Sequence, residues 1–170
     1  ILLVGHGSRD PVAAGEFLDF TRKFQSRNGF AGSAGIECAF LELSEPSIPE
    51  ALNRIAEKGV KKIAVFPYLL FSAGHVKTEI PEILAKFRNN HPGIEIHYGD
   101  CLWPHENLVQ LAKLRINETL DSFPASVRGQ IDVLAVGRGA TDTQAIGQFM
   151  EAMERLKKEI FCRQFRHCFI

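Results

Sequence analysis

Apolar runs alternate with longer amphipathic stretches along the whole chain, and this alternation limits the fold more than any other feature. The runs lie at 1–5 (ILLVG), 35–41 (GIECAFL), 62–70 (KIAVFPYLL), 94–98 (IEIHY) and 131–136 (IDVLAV). Several are apolar at consecutive positions, as parallel strands covered on both faces are. Between them, 11–27, 47–58, 80–90, 105–121 and 142–159 carry helical spacing. Strand alternating with helix throughout predicts an α/β fold with a mostly parallel sheet flanked by helices. The punctuation agrees. Pro11 suits the first helical position with Asp10 as N-cap, Pro49 and Pro81 stand near helix starts, and Gly59 follows a helix as a C′ residue would.

With 170 residues, 45% of them hydrophobic, the chain can build one sizeable core and part of a second. Twenty basic residues balance twenty acidic ones, so broad electrostatics give no case for nucleic acid or an anionic membrane as partner. No apolar run approaches the roughly 20 residues that span a bilayer. Cys38, Cys101, Cys162 and Cys168 form no C-x-x-C pair and read as structural thiols, which fits a reducing, cytoplasmic setting. Ile1 in place of Met predicts that the native start lies upstream.

Residues 122–130 (SFPASVRGQ) read as a linker, which divides the chain into a lobe at 1–121 and a partial second lobe at 131–170. The second lobe repeats the first. Val4-Gly5-His6-Gly7-Ser8-Arg9-Asp10 lies over Val136-Gly137-Arg138-Gly139-Ala140-Thr141-Asp142 at an offset of 132, and an amphipathic helix follows each. The last four residues, His167-Cys168-Phe169-Ile170, then match Glu37-Cys38-Ala39-Phe40, so the second repeat is expected to stop in mid-strand.

Ligands of parallel α/β sheets bind beyond the carboxyl ends of the strands. His6 sits at such an end between two glycines, where little side-chain bulk keeps a ligand from the backbone. Ser8 and the amides leading into the next helix are placed to receive an anionic group. In "YLLFSAGHVKTEIPEI" (68–83) another strand ends in small residues, Ser72-Ala73-Gly74, and delivers a second histidine, His75. Two neutral imidazoles converging on one crevice are ready ligands for a divalent transition metal. Glu79 follows His75 by four residues and shares its face if the stretch is helical. Glu42, at a third strand end, serves either as proton acceptor or partner, or caps the helix near Pro46. His91, His97 and His105 read as surface or loop residues. The chain has no G-x-x-x-x-G-K-[ST] loop for ATP, no G-x-G-x-x-G after a strand and no G-x-S-x-G elbow.

"VGHGSRDPVAAGEF", "ECAFLELSEPSIPEAL" and "FPYLLFSAGHVKTEIPEIL", in this order and at these distances, resemble the CbiX/SirB family of class II tetrapyrrole chelatases through residues 1–120. The resemblance implies ATP-independent insertion of cobalt or iron into sirohydrochlorin, on the routes to cobalamin or sirohaem. It places the family's two active-site histidines, which bind metal, on His6 and His75, and the acidic position of its H-x-x-x-[DE]-I-P motif on Glu79. Long members are fusions of two such halves, the second degenerate at its histidines, and Arg138 stands where His6 would repeat. The long form tilts the reading to cobalt, as Co²⁺, over Fe²⁺. It also leaves a missing C-terminal half, or self-association, to complete the pocket.

The substrate's carboxylates need donors at the rim, and Ser8, Arg9 and Arg138 are the candidates. A guanidinium stays protonated at any working pH and offers no lone pair, so Arg138 is expected to bind substrate carboxylate and not metal. Two rival readings differ in class. A histidine phosphatase also begins with a strand ending in His-Gly, but it wants Arg before that His, where this chain has Gly5. A metal carrier built on His6 and His75 stays open on sequence alone. Imidazole must be neutral to hold metal or take a proton, and an ordinary histidine titrates near ~6.5. Chelatase rate is therefore expected to fall as pH drops through roughly 6–7, and a rate that stays flat between about pH 5 and 8 would speak against imidazole catalysis.

Overall fold

The computed structural model describes residues 1–27, 35–71, 74–103 and 105–170, with the side chain of His75 left out. It divides into two compact units, Ile1–Cys101 and Leu102–Ile170. The first unit runs β1 (Leu2–Gly5), α1 (Pro11–Arg27), β2 (Glu37–Phe40), α2 (Ile48–Glu57), β3 (Lys62–Pro67), a π-helical turn (His75–Glu79), α3 (Ile80–Asn90) and β4 (Glu95–Tyr98). Its four strands form one sheet in the order β2-β1-β3-β4, parallel throughout. The α/β fold with a mostly parallel sheet is as the sequence predicts.

Local chemistry explains the helix limits. The Asp10 carboxylate accepts the Val12 amide at 2.9 Å, which caps α1. Ser47 caps α2 in a reciprocal box: its hydroxyl accepts the Glu50 amide while Glu50 accepts the amide of Ser47 at 2.9 Å. Gly59 follows α2 at φ 74°, the left-handed conformation in which helices commonly end. Leu2 and Val4 of β1 and Ile63 and Val65 of β3 pack with Ile48, Leu52, Ile80 and Leu84 of α2 and α3, all almost completely buried. Each such side chain contributes roughly 1.5–3 kcal/mol of transfer free energy.

The second unit contains α4 (Glu106–Asp121), α5 (Ala125–Arg128), β5 (Asp132–Gly137), α6 (Thr143–Glu159) and β6 (Gln164–Phe169). The division after Cys101 differs from the expected boundary at 121. Helix α4 packs on α6, where Lys113 reaches Glu159 at 2.8 Å, and so it belongs with the second unit. The stretch 122–130 lies inside this unit and carries α5, with Arg128 bound to the Asp121 carboxylate at 2.7 Å.

The internal repeat has a structural counterpart. Helices α1 and α6 each hold 17 residues, and their bounds are offset by 132. Gly5 lies so close to Phe17 that an added Cβ would stand 2.9 Å from the ring, and Gly137 stands in the same relation to Phe149, again at 2.9 Å. Gly7 and Gly139 both have positive φ, 97° and 76°. One detail departs from the sequence alignment. Gly5 pairs with Phe40, and Gly137 pairs with Phe169, so Phe169 and not Ile170 takes the place of Phe40. Aromatic packing fixes this register: Phe17 meets Phe40 with ring centroids 5.4 Å apart, and Phe149 meets Phe169 at 5.0 Å. A slip of one residue would turn each β6 side chain to the other face.

The glycines give a test. A Cβ on Gly7 would stand 1.7 Å from the Glu42 carbonyl oxygen at a φ of 97°, whereas one on Gly15, inside α1, meets nothing within 4 Å. Gly7→Ala is expected to cost about 2–4 kcal/mol in chemical denaturation. Gly15→Ala should be neutral, or stabilising by up to about 1 kcal/mol.

Candidate active site

In the order β2-β1-β3-β4, the chain leaves β1 toward β2 and leaves β3 toward β4, in opposite directions. The switch point of the topology therefore lies between the carboxyl ends of β1 and β3, where open α/β sheets bind ligands. His6 follows β1 directly, and the segment leaving β3 carries the backbone of His75 as the first residue of the π-helical turn. The His75 imidazole, Ser72 and Ala73 lie outside the described residues.

The β1–β2 ladder continues past the strand ends. Leu41 donates to the Gly5 carbonyl at 2.9 Å and Glu42 to the His6 carbonyl at 3.0 Å, which draws His6 and Glu42 together. Their side chains, each about half exposed at 46% and 48%, approach to 3.7 Å between Nε2 and Oε1. That separation is an ion-pair distance when the imidazole is protonated and too long for a direct hydrogen bond. Glu42, with two roles open in the sequence, is thus beside His6 and not a helix cap; Ser47 caps α2. Gly7 completes the arrangement, since only a residue without Cβ fits against the Glu42 carbonyl.

The loop after His6 is held by its own side chains. Ser44 Oγ accepts the Ser8 amide at 3.0 Å and donates to the Ser8 carbonyl at 2.9 Å. Ser8 Oγ accepts the Asp10 amide at 3.0 Å. The amides of Ser8, Asp10 and Val12 are therefore taken, and the Asp10 carboxylate occupies the start of α1. An incoming anion does not find those donors open, contrary to the expectation for the amides here. Arg9 is exposed beside them, and Glu79 is exposed at the end of the π-helical turn. Arg138 is exposed directly after β5, in the second unit. His91 and His105 have structural places. His91 stacks on Phe87 with centroids 4.1 Å apart, and His105 caps α4 by accepting the Asn107 amide at 3.2 Å. Among the described residues, no three or more His, Cys, Asp or Glu side chains gather to hold a metal ion. Nor is any helix there long and apolar enough to cross a membrane.

Tyr98 escaped the sequence reading. Last in β4, it donates its hydroxyl to the Val76 carbonyl at 2.9 Å and so ties the π-helical turn to the carboxyl edge of the sheet. The available signal was an aromatic with a polar tip ending an apolar run. Burial, reinforced by Cys101 and Asp100, pushes its phenol from an ordinary value of 10 up to about 12.

Comparison with known proteins places these residues in context. A protein-family model described as CbiX matches residues 1–119. A sirohydrochlorin ferrochelatase of Priestia megaterium is 31% identical over 171 residues, covering 100% of this chain and 61% of its own length. A sirohydrochlorin cobaltochelatase of the same organism is 29% identical, over 85% of this chain and 46% of its length. The solved structure of SirB from Bacillus subtilis with Fe³⁺ superposes with a TM-score of 0.85 at 28% identity, covering 99% of this chain and 64% of that one. The chain thus spans less than two thirds of the length of each.

The raised phenol fixes the sign of a pH effect. A group whose folded-state pKa lies above its unfolded value stabilises the fold fully below the lower value and stops doing so as pH climbs through the higher. Stability is expected to hold up to about pH 10 and to fall between about 10 and about 12. Tyrosinate absorbance should show one phenol ionising near the upper value, a transition absent from Tyr98→Phe.

Proposed function

The chain belongs to the CbiX family, and on that premise we propose that it inserts a divalent metal ion into sirohydrochlorin without ATP. The metal is a substrate, released into the ring. The observation that carries this reading is the His6–Glu42 pair, 3.7 Å apart and half exposed at the switch point beside β3. That both a ferrochelatase and a cobaltochelatase are among the relatives supports the reaction class and leaves two metals to choose between. We assign Co²⁺, which nitrogen ligands hold more tightly than Fe²⁺; Fe²⁺ is the alternative.

Insertion joins M²⁺ to four ring nitrogens and releases two pyrrole protons, with no change of oxidation state. His6 and His75 hold the metal through neutral ring nitrogens and pass it on. Two imidazoles bind weakly enough to let go, where a closed set of four ligands would retain the ion. Glu42 and Glu79 are the proton acceptors. Arg9 and the hydroxyl of Ser8 meet substrate carboxylates, and Arg138 of the second unit is assigned a carboxylate-binding role of its own. A metal carrier built on the same histidines would bind Co²⁺ and leave the tetrapyrrole unchanged.

Incubating the 170-residue chain with sirohydrochlorin and Co²⁺, and separately with Fe²⁺ under anaerobic conditions, tests this through the absorption spectrum. His6→Ala and His75→Ala are each expected to lower kcat/KM by about 10²–10⁴-fold, and Glu42→Gln by about tenfold or more. Arg138→Ala should raise the tetrapyrrole KM more than it lowers kcat. An unchanged spectrum with both metals, or wild-type turnover by His75→Ala, would overturn the assignment.

A further inference from the structure

The turn that carries His75 and Glu79 has a vacancy built into its sequence. In a π-helix a carbonyl accepts from the amide five residues on, so the carbonyl of Val76 waits for residue 81. Residue 81 is proline, which has no amide hydrogen. Val76 is buried, with 7% of its surface exposed, so its carbonyl has little water to turn to. A buried carbonyl without a donor costs roughly 1–3 kcal/mol. The Tyr98 hydroxyl fills this place at 2.9 Å.

Tyr98 is well suited to do so. Its backbone is fixed in the sheet opposite Val65, and the ladder continues beyond it through the Gly99 amide to the Val65 carbonyl at 2.9 Å. It is a rigid post at the carboxyl end of β4, whereas the turn is a short wide coil, within which the Thr78 hydroxyl donates to the Gly74 carbonyl at 2.6 Å. π-Helical turns are rare and occur frequently at functional sites. The post gives the turn an anchor outside its own helix at Val76.

We propose that Tyr98 is a positioning residue of the site: its hydroxyl substitutes for the amide that Pro81 lacks and thereby holds the backbone of His75 and Glu79 at the carboxyl edge of the sheet. The assignment of the held residues as metal and proton ligands rests on the chelatase reading; the hold itself does not.

The test uses the full chain and three variants, Tyr98→Phe, Pro81→Ala and the two combined. Amide hydrogen exchange over residues 74–80 reads the turn directly, and Co²⁺ affinity in the absence of tetrapyrrole, measured by calorimetry, reads the site. Tyr98→Phe is expected to speed exchange in the turn by about tenfold and to weaken Co²⁺ by a similar factor, with exchange in β1 and β3 unaltered. Pro81→Ala restores an amide at residue 81, so the double variant should recover most of both losses. A generally weakened core would not be rescued in that way. Unchanged exchange in Tyr98→Phe overturns the proposal, as does a loss that Pro81→Ala deepens. If wild type binds no Co²⁺, the metal reading fails while exchange alone still decides the hold.

Discussion

Everything at the candidate site depends on β1 being hydrogen-bonded on both sides. Paired with β2 on one edge and β3 on the other, it is the strand from which the topology parts in two directions. The pairing does not stop with the strand. Leu41 and Glu42 continue the ladder on one side, and Tyr68 donates to the Val4 carbonyl at 2.7 Å on the other. A histidine placed one residue past β1 therefore inherits the rigidity of the sheet, although its side chain stands half in solvent. This reconciles two demands. On the proposed function, a ligand for a passing metal ion must be accessible, and it must not lose entropy each time it is engaged.

Much of this was legible in the sequence because it comes from local rules. Apolar runs on both faces marked parallel strands, and the start of α1 followed from a side chain that fills an orphan amide, Asp10. His6 could be found since glycines on both sides of a histidine at a strand end have few other reasons to be there. Gly7 supplies the reason: its φ of 97° against the Glu42 carbonyl. What the sequence left open depends on contacts distant along the chain. Glu42 lies 36 residues from His6, and only the parallel register of β1 on β2 decides that it faces the imidazole and does not cap a helix. The Ser44 bridge to Ser8 escaped notice for the same reason.

The stretch after β3 was hidden for a different reason. Helical spacing was read from 80 onward and left open over 75–79, and α and π geometry share nearly the same side-chain pattern across one turn, so periodicity does not separate them. The distinguishing sign was Pro81, read simply as a residue tolerable near a helix start. It also removes a donor five residues on from Val76, and a missing donor means that a partner stands elsewhere in the fold. The partner, Tyr98, is 22 residues away on β4.

The second unit separates what builds such a strand end from what acts there. Gly137, Gly139, Phe149 and Phe169 stand in the geometry of Gly5, Gly7, Phe17 and Phe40, since close packing of a strand, a tight turn and a helix requires those shapes. Arg138 differs from His6, and nothing in that packing opposes the change, because the side chain at this place points to solvent in both units. Leu134 and Val136 are 60% and 54% exposed, whereas their counterparts Leu2 and Val4 are fully buried beneath α2 and α3. Backbone and aromatic packing thus give the βαβ scaffold the same local form around both strand ends. On the proposed reading the two scaffolds differ in chemistry at this exposed position, where imidazole can give up a lone pair to a metal and guanidinium cannot.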